Sequence, residues 1–145
     1  MKKHSYRTNL VWTGNLGKGT ANYQAYQRNY TIQVEGKPEI TGSSDPSFRG
    51  DKTRHNPEEL FVASLSSCHM LWYLHLCSTN GITVIDYHDN AEGVMLEEKS
   101  GAGYFESVTL KPNVTILESD KIEMAEKLHT QANKMCFIAN SCNFE

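Results

Sequence analysis

The chain has 145 residues, the length of one ordinary domain and enough to bury a core. Apolar residues make up 39% and charged residues 21%, a balance that excludes a disordered or collagen-like chain. The formal net charge is −3 and no basic run follows Lys2-Lys3, so the sequence carries no electrostatic footprint for nucleic acid or an anionic membrane.

Met1 to Tyr6 is polar and basic with no apolar stretch behind it, unlike a secretory signal, so a cytoplasmic location is expected. Residues Tyr6–Trp12 alternate as a strand does. Gly14, Gly17 and Gly19 then read as a hairpin turn; their irregular spacing, with no helix pattern behind, makes a poor phosphate loop. Strands are expected at Thr20–Gln27 and Tyr30–Val34, giving an antiparallel meander. Gly36 to His55 is rich in Gly, Ser, Pro and charge and reads as a long loop, a kind of segment that is often functional.

The clearest element follows. Asn56 is a good N-cap, Pro57 suits the first helical position, and Glu59 stands where a capping box places its glutamate. The spacing predicts a helix to about Asn80, with Gly81 as the residue that ends it. Its residues Leu60, Phe61, Leu65, Cys68, Leu71, Trp72 and Leu76 are apolar on more than one face, the mark of a buried central helix. The stretch Leu60–Cys77 is uncharged, but Ser64, Ser66, Ser67, His69 and His75 interrupt it, so it reads as a core helix rather than a membrane span.

Strands are expected again at Val84–Asn90, Glu92–Glu97, Tyr104–Leu110 and Val114–Leu117. Asp120 and Glu123 resemble a second capping box, and Ile122, Ala125, Leu128, Ala132 and Met135 form an amphipathic stripe that ends close to Cys136. Strands on either side of a central helix give a single α+β domain over residues 1–145, not alternating βαβ units.

Four cysteines are present: Cys68, Cys77, Cys136 and Cys142. None has the spacing of a zinc site, and a cytoplasmic chain of this size needs no disulfide framework, so they are either packing residues or reactive thiols. Cys68 lies about three turns into its helix, too deep for the helix dipole to activate it. A reactive Cys68 therefore needs a partner cation, and the preceding loop offers Arg49, Lys52 and Arg54. Glu58, slightly under three turns away, cannot touch Cys68 but could hold an arginine folded back from that loop. Cys136 reads as either a core cysteine or a second thiol that resolves an oxidised Cys68. His69 adjoins Cys68 but points about 100° around the helix from it. His55 reads as a cap or pocket residue, His75 as a core or interface histidine, Trp72 and Tyr73 as core or dimer contacts, and Cys77 as packing.

The run Asn56-Pro57-Glu58-Glu59-Leu60-Phe61-Val62-Ala63-Ser64-Leu65-Ser66-Ser67-Cys68-His69 resembles the signature of the OsmC/Ohr family of thiol-dependent hydroperoxide peroxidases. Lys134-Met135-Cys136-Phe137-Ile138-Ala139-Asn140 looks like that family's second-cysteine segment, although Phe137 stands where proline is often found. The resemblance covers nearly the whole chain and implies an OsmC-like α+β fold assembled as an intertwined homodimer. It implies Cys68 as the peroxidatic cysteine, Cys136 as the resolving cysteine, and Glu58 as the glutamate that pairs a catalytic arginine. Arg49 is the favoured arginine, Arg54 its close rival and Arg28 a distant one. Cys142 has no counterpart in that pattern.

The expected function is therefore reduction of organic hydroperoxides, possible also for hydrogen peroxide, with an external dithiol as reductant and no metal or organic cofactor. Apolar walls from Phe61, Leu65 and Trp72 would favour an organic substrate. Two other readings stay open: a non-enzymatic ligand-binding or redox-sensing module, and a cysteine hydrolase pairing Cys68 with a histidine.

Overall fold

The computed structural model describes residues 1–145. It divides into two compact units, residues 1–60 and 61–145.

The first unit holds a three-stranded antiparallel sheet, β1 (Asn9–Trp12), β2 (Tyr30–Gln33) and β3 (Ile40–Gly42), in that order. Tyr30 faces Trp12 on one side and Gly42 on the other. Glycine is required at 42, because a Cβ there would lie 2.2 Å from the Tyr30 ring.

Two expectations are corrected here. Thr20–Gln27 is not a strand but a series of turns. The Arg28 guanidinium packs 4.3 Å and 3.9 Å from the centres of the Tyr23 and Tyr26 rings and donates to the carbonyls of both residues at 2.7 Å. Carbonyls that a strand ladder would use are thus taken by a side chain. The segment from Gly36 to His55 is also not all loop: it contains β3 and a short 3₁₀ turn, Pro46–Phe48. Asp45 caps that turn through the Ser47 N–H at 2.8 Å, and Arg49 closes it in the left-handed region at φ 62°.

Helix α1 (Pro57–Thr79) begins and ends as its local chemistry dictates. The Glu59 N–H donates to Asn56 Oδ1 at 2.9 Å, and the Asn56 N–H donates to Glu59 Oε1 at 3.3 Å, a reciprocal capping box. At the other end Gly81 takes φ 69° and the Ile82 N–H reaches back to the Cys77 carbonyl at 2.9 Å. That is a Schellman ending, with Ile82 and Cys77 both in the core. By length and composition α1 could cross a membrane, but its stripe Leu65, His69, Tyr73, Leu76 and Cys77 is buried in the chain's own core. Cover elsewhere on the helix is only partial, and Leu71, on another face, is 62% exposed.

The second unit carries β4 (Val84–Asp89), β5 (Glu92–Glu97), β6 (Gly103–Thr109), β7 (Pro112–Ile116) and helix α2 (Ile122–Met135). β5 and β6 form a hairpin nested between β4 and β7, which pair antiparallel with each other. Tyr73, Leu76, Cys77, Ile82, Ala125, Leu128 and Ala132 make one core, flanked by Val84, Tyr87, Val114 and Ile116. All four strands lie within a residue or two of the expected ranges. The second capping box does not form. Lys121, not Asp120, is the N-cap and no side chain caps α2, so the helix starts one residue later than that pattern implies. Of the α2 stripe, Ala125, Leu128 and Ala132 are buried, while Ile122 and Met135 at its ends are exposed.

Candidate functional site

α1 places Cys68 half-buried, and the end of α2 places Cys136, 1% exposed, beside it. Both are free thiols. Burial pushes the Cys136 thiol pKa up, and the Cys68 side chain that hydrogen bonds to it pushes the same way. The Ala139 N–H, 3.4 Å from Cys136 Sγ, opposes the shift. Cys136 is therefore held as a thiol at neutral pH, a group suited to attack second rather than first.

Cys136 lines a cavity of about 70 Å³ whose other walls include Leu65, His69, Val108, Cys142 and Phe144. The Phe61 ring lies 4.7 Å from Phe105 and 6.2 Å from Phe144, extending an apolar cluster along that side. Of the three expected wall residues, Leu65 lines the cavity and Phe61 backs it. Trp72 instead stands edge-on to Phe137 at 5.6 Å, beside an open surface with Leu71 and His75.

In the first unit, Glu58 Oε2 is buried and receives no hydrogen bond. Its charge raises the pKa of the Tyr30 hydroxyl, after the larger effect of burial. Arg54 is 3.8 Å from Asp51 and donates to the Tyr30 carbonyl at 3.3 Å. Arg49 stands 6.0 Å from the centre of the Tyr23 ring, and Arg28 is locked between two tyrosines. None of the three makes an ion pair with Glu58 in this chain.

A histidine pair escapes the sequence reading. His69 Nε2 lies 3.0 Å from His129 Nδ1, with the two rings stacked 4° from parallel. His129 stacks in turn on Tyr73, centroids 3.9 Å apart. The signal was present in α2, where His129 shares the face of Ala125, Leu128 and Ala132 at helical spacing. For the hydrolase reading, the imidazole next to Cys68 is engaged with another histidine. His55 is exposed and gives its carbonyl to the Ser43 N–H. His75, expected in a core or interface, is exposed in this chain.

Burial lowers the pKa of both paired histidines. Asp89 partly opposes this at His69, and His69 reinforces it at His129. Unfolded, each imidazole takes up its proton near its ordinary 6.5; folded, it does so at a lower pH. Between those values the unfolded chain binds more protons, so stability is complete above about 6.5 and falls as the pH drops through the window. Thermal midpoints should decrease from pH 7 to pH 5, and His129→Gln should flatten that decline. An unchanged slope in the variant would remove the pair as its cause.

Comparison with known proteins places the chain in a family and supports the fold. The profile of the family described as OsmC-like protein matches residues 50–144. An OsmC-like protein of unknown function from Vibrio cholerae has a similar structure, with TM-score 0.86 and 32% identity over 100% of this chain and 96% of the other. An organic hydroperoxide resistance protein from Elizabethkingia anophelis has TM-score 0.70 and 22% identity over 99% and 94%. One from Legionella pneumophila has TM-score 0.71 and 20% identity over 99% and 95%. Among curated proteins, no sequence matches the chain. With the profile spanning most of the chain and a 32% identical structure along its full length, this chain belongs to the OsmC-like protein family.

Proposed function

We propose that the protein is a thiol-dependent peroxidase that reduces organic hydroperoxides through Cys68 and Cys136. The observation that carries this reading is the juxtaposition of two free thiols, one half-buried and one enclosed, beside an apolar cavity. The names of the Elizabethkingia and Legionella structures point the same way.

The Cys68 thiolate attacks one oxygen of the O–O bond; the bond breaks, and the other oxygen leaves as an alcohol after taking a proton. Cys68 becomes a sulfenic acid. The Cys136 sulfur displaces the sulfenic oxygen as water and a Cys68–Cys136 disulfide forms. An external dithiol returns both sulfurs to thiols by two exchanges. The sulfur itself carries the two-electron change.

A cation beside the reacting sulfur is the remaining requirement. Arg49 is the first candidate and Arg54 the second, with Glu58 orienting whichever serves. Two observations support this. Arg49 is the only non-glycine residue with a positive φ, a conformation that side-chain-bearing residues keep where the surroundings impose it. Glu58 Oε2 is a buried acceptor still without a donor. The protein acts as a homodimer on this reading, since Leu71 and Phe137 are more than 60% exposed in a single chain and await cover. Four free cysteines suit the reducing cytoplasm.

The test is a thiol count. Reduced protein treated with cumene hydroperoxide should lose at least two of its four free thiols per chain, Cys68 among them. The Cys136→Ser variant should instead accumulate a sulfenic acid on Cys68 that dimedone traps. Four thiols surviving the peroxide would end the proposal.

A further inference from the structure

We propose that Cys142 is a third redox thiol, which takes over the disulfide by attacking Cys136 and so releases Cys68 for another turnover. The inference rests on the peroxidase reading above and extends it to a residue outside the two-cysteine scheme.

α2 ends at Cys136, and the chain then folds back through Phe137 and Ile138 into a 3₁₀ turn, Ala139–Ser141, which returns Cys142 to the same cavity. One peptide unit lies between the two sulfurs. Its N–H, from Ala139, donates to Cys136 Sγ at 3.4 Å; its carbonyl, from Ile138, accepts from Cys142 Sγ at 3.2 Å. With standard peptide bond lengths the sulfurs cannot be more than roughly 9 Å apart. Bonding them requires this single turn to open. The turn is held by three backbone hydrogen bonds of 3.0–3.1 Å, to Cys136, Ile138 and Ala139 carbonyls. Phe137 is already 67% exposed and Ile138 37%, so opening the turn uncovers little apolar surface.

The step balances without an added oxidant. The Cys142 thiolate forms a bond to Cys136 Sγ as the Cys68–Cys136 bond breaks, and Cys68 departs as the thiolate. The two oxidising equivalents move to Cys136–Cys142, where the external dithiol removes them. Cys68 is meanwhile left reduced.

The consequence is countable. With excess cumene hydroperoxide and no dithiol, reduced wild-type protein should consume two equivalents per chain, one for the relayed disulfide and one for a sulfenic acid on the freed Cys68. Peptide mapping should then find Cys136 joined to Cys142 and a dimedone adduct on Cys68. Cys142→Ser should consume one equivalent and yield a Cys68–Cys136 peptide without the adduct. A wild-type protein that stops at one equivalent with Cys68 joined to Cys136 would overturn the relay and leave the peroxidase reading standing. A protein in which Cys68 consumes no peroxide would overturn the peroxidase reading. In that event the third thiol is read alone, in Cys68→Ser equilibrated with oxidised and reduced dithiothreitol. A Cys136–Cys142 bond there supports it, and the absence of that bond overturns it.

Discussion

Cys68→Ser should lower the rate of cumene hydroperoxide consumption by more than about a hundredfold, equivalent to more than roughly 2.7 kcal/mol of barrier. Serine preserves the size and the helix but removes the chemistry. A hydroxyl is not ionised at neutral pH, and its oxygen cannot accept the peroxide oxygen and later be reduced by a thiol. Structural damage is an insufficient alternative cause, because Cys68 is half-buried and lies outside the core cluster. Cys77→Ser is the companion measurement. Cys77 is 1% exposed and sits in that core, so it should lose stability while its peroxide rate per folded molecule stays near wild type. A Cys68→Ser protein as fast as wild type would remove Cys68 as nucleophile.

Tyr73→Ala should cost about 3–5 kcal/mol of folding stability, a large part of the roughly 5–15 kcal/mol that a domain commonly has. Tyr73 is 1% exposed and joins three elements. It projects from α1, stacks on His129 of α2, and meets Tyr87 of β4 at 6.0 Å between ring centres. Its hydroxyl donates to the Ala125 carbonyl at 3.0 Å. Burial raises the pKa of that hydroxyl, so it remains a donor throughout the neutral range. Tyr73→Phe keeps the ring contacts and loses one hydrogen bond, and should cost only about 1 kcal/mol. Urea unfolding midpoints measured for the two variants separate ring packing from the hydroxyl. Equal losses in both would mean that the ring stack contributes little.

What could be read from the sequence followed the range of the interactions. α1 was legible at both ends because Asn56, Glu59 and Gly81 act on backbone within a turn of themselves. The later strands were expected within a residue or two of where they lie. The failures depend on partners distant in sequence. β3 hides in a polar stretch because its glycine is selected by the Tyr30 ring on the neighbouring strand. Residues 20–27 look like a strand until Arg28 is seen to hold their carbonyls. Within the site, the two cysteines were legible through their motifs. The His69–His129 pair was not, since each histidine alone resembles an ordinary member of an amphipathic stripe. The partner of Glu58 was expected among three loop or hairpin arginines, and each of these has local acceptors or rings close by.

A disulfide between Cys68 and Cys136 would tie the middle of α1 to the end of α2, with the whole β4–β7 region inside the loop. Chain entropy makes such a large loop worth roughly 4 kcal/mol through the unfolded state, against roughly 2 kcal/mol for the small loop between Cys136 and Cys142. Passing the bond to Cys142 would therefore free most of that loop from its covalent clasp while the molecule is still oxidised. Resistance to unfolding would then record which pair of sulfurs holds the bond.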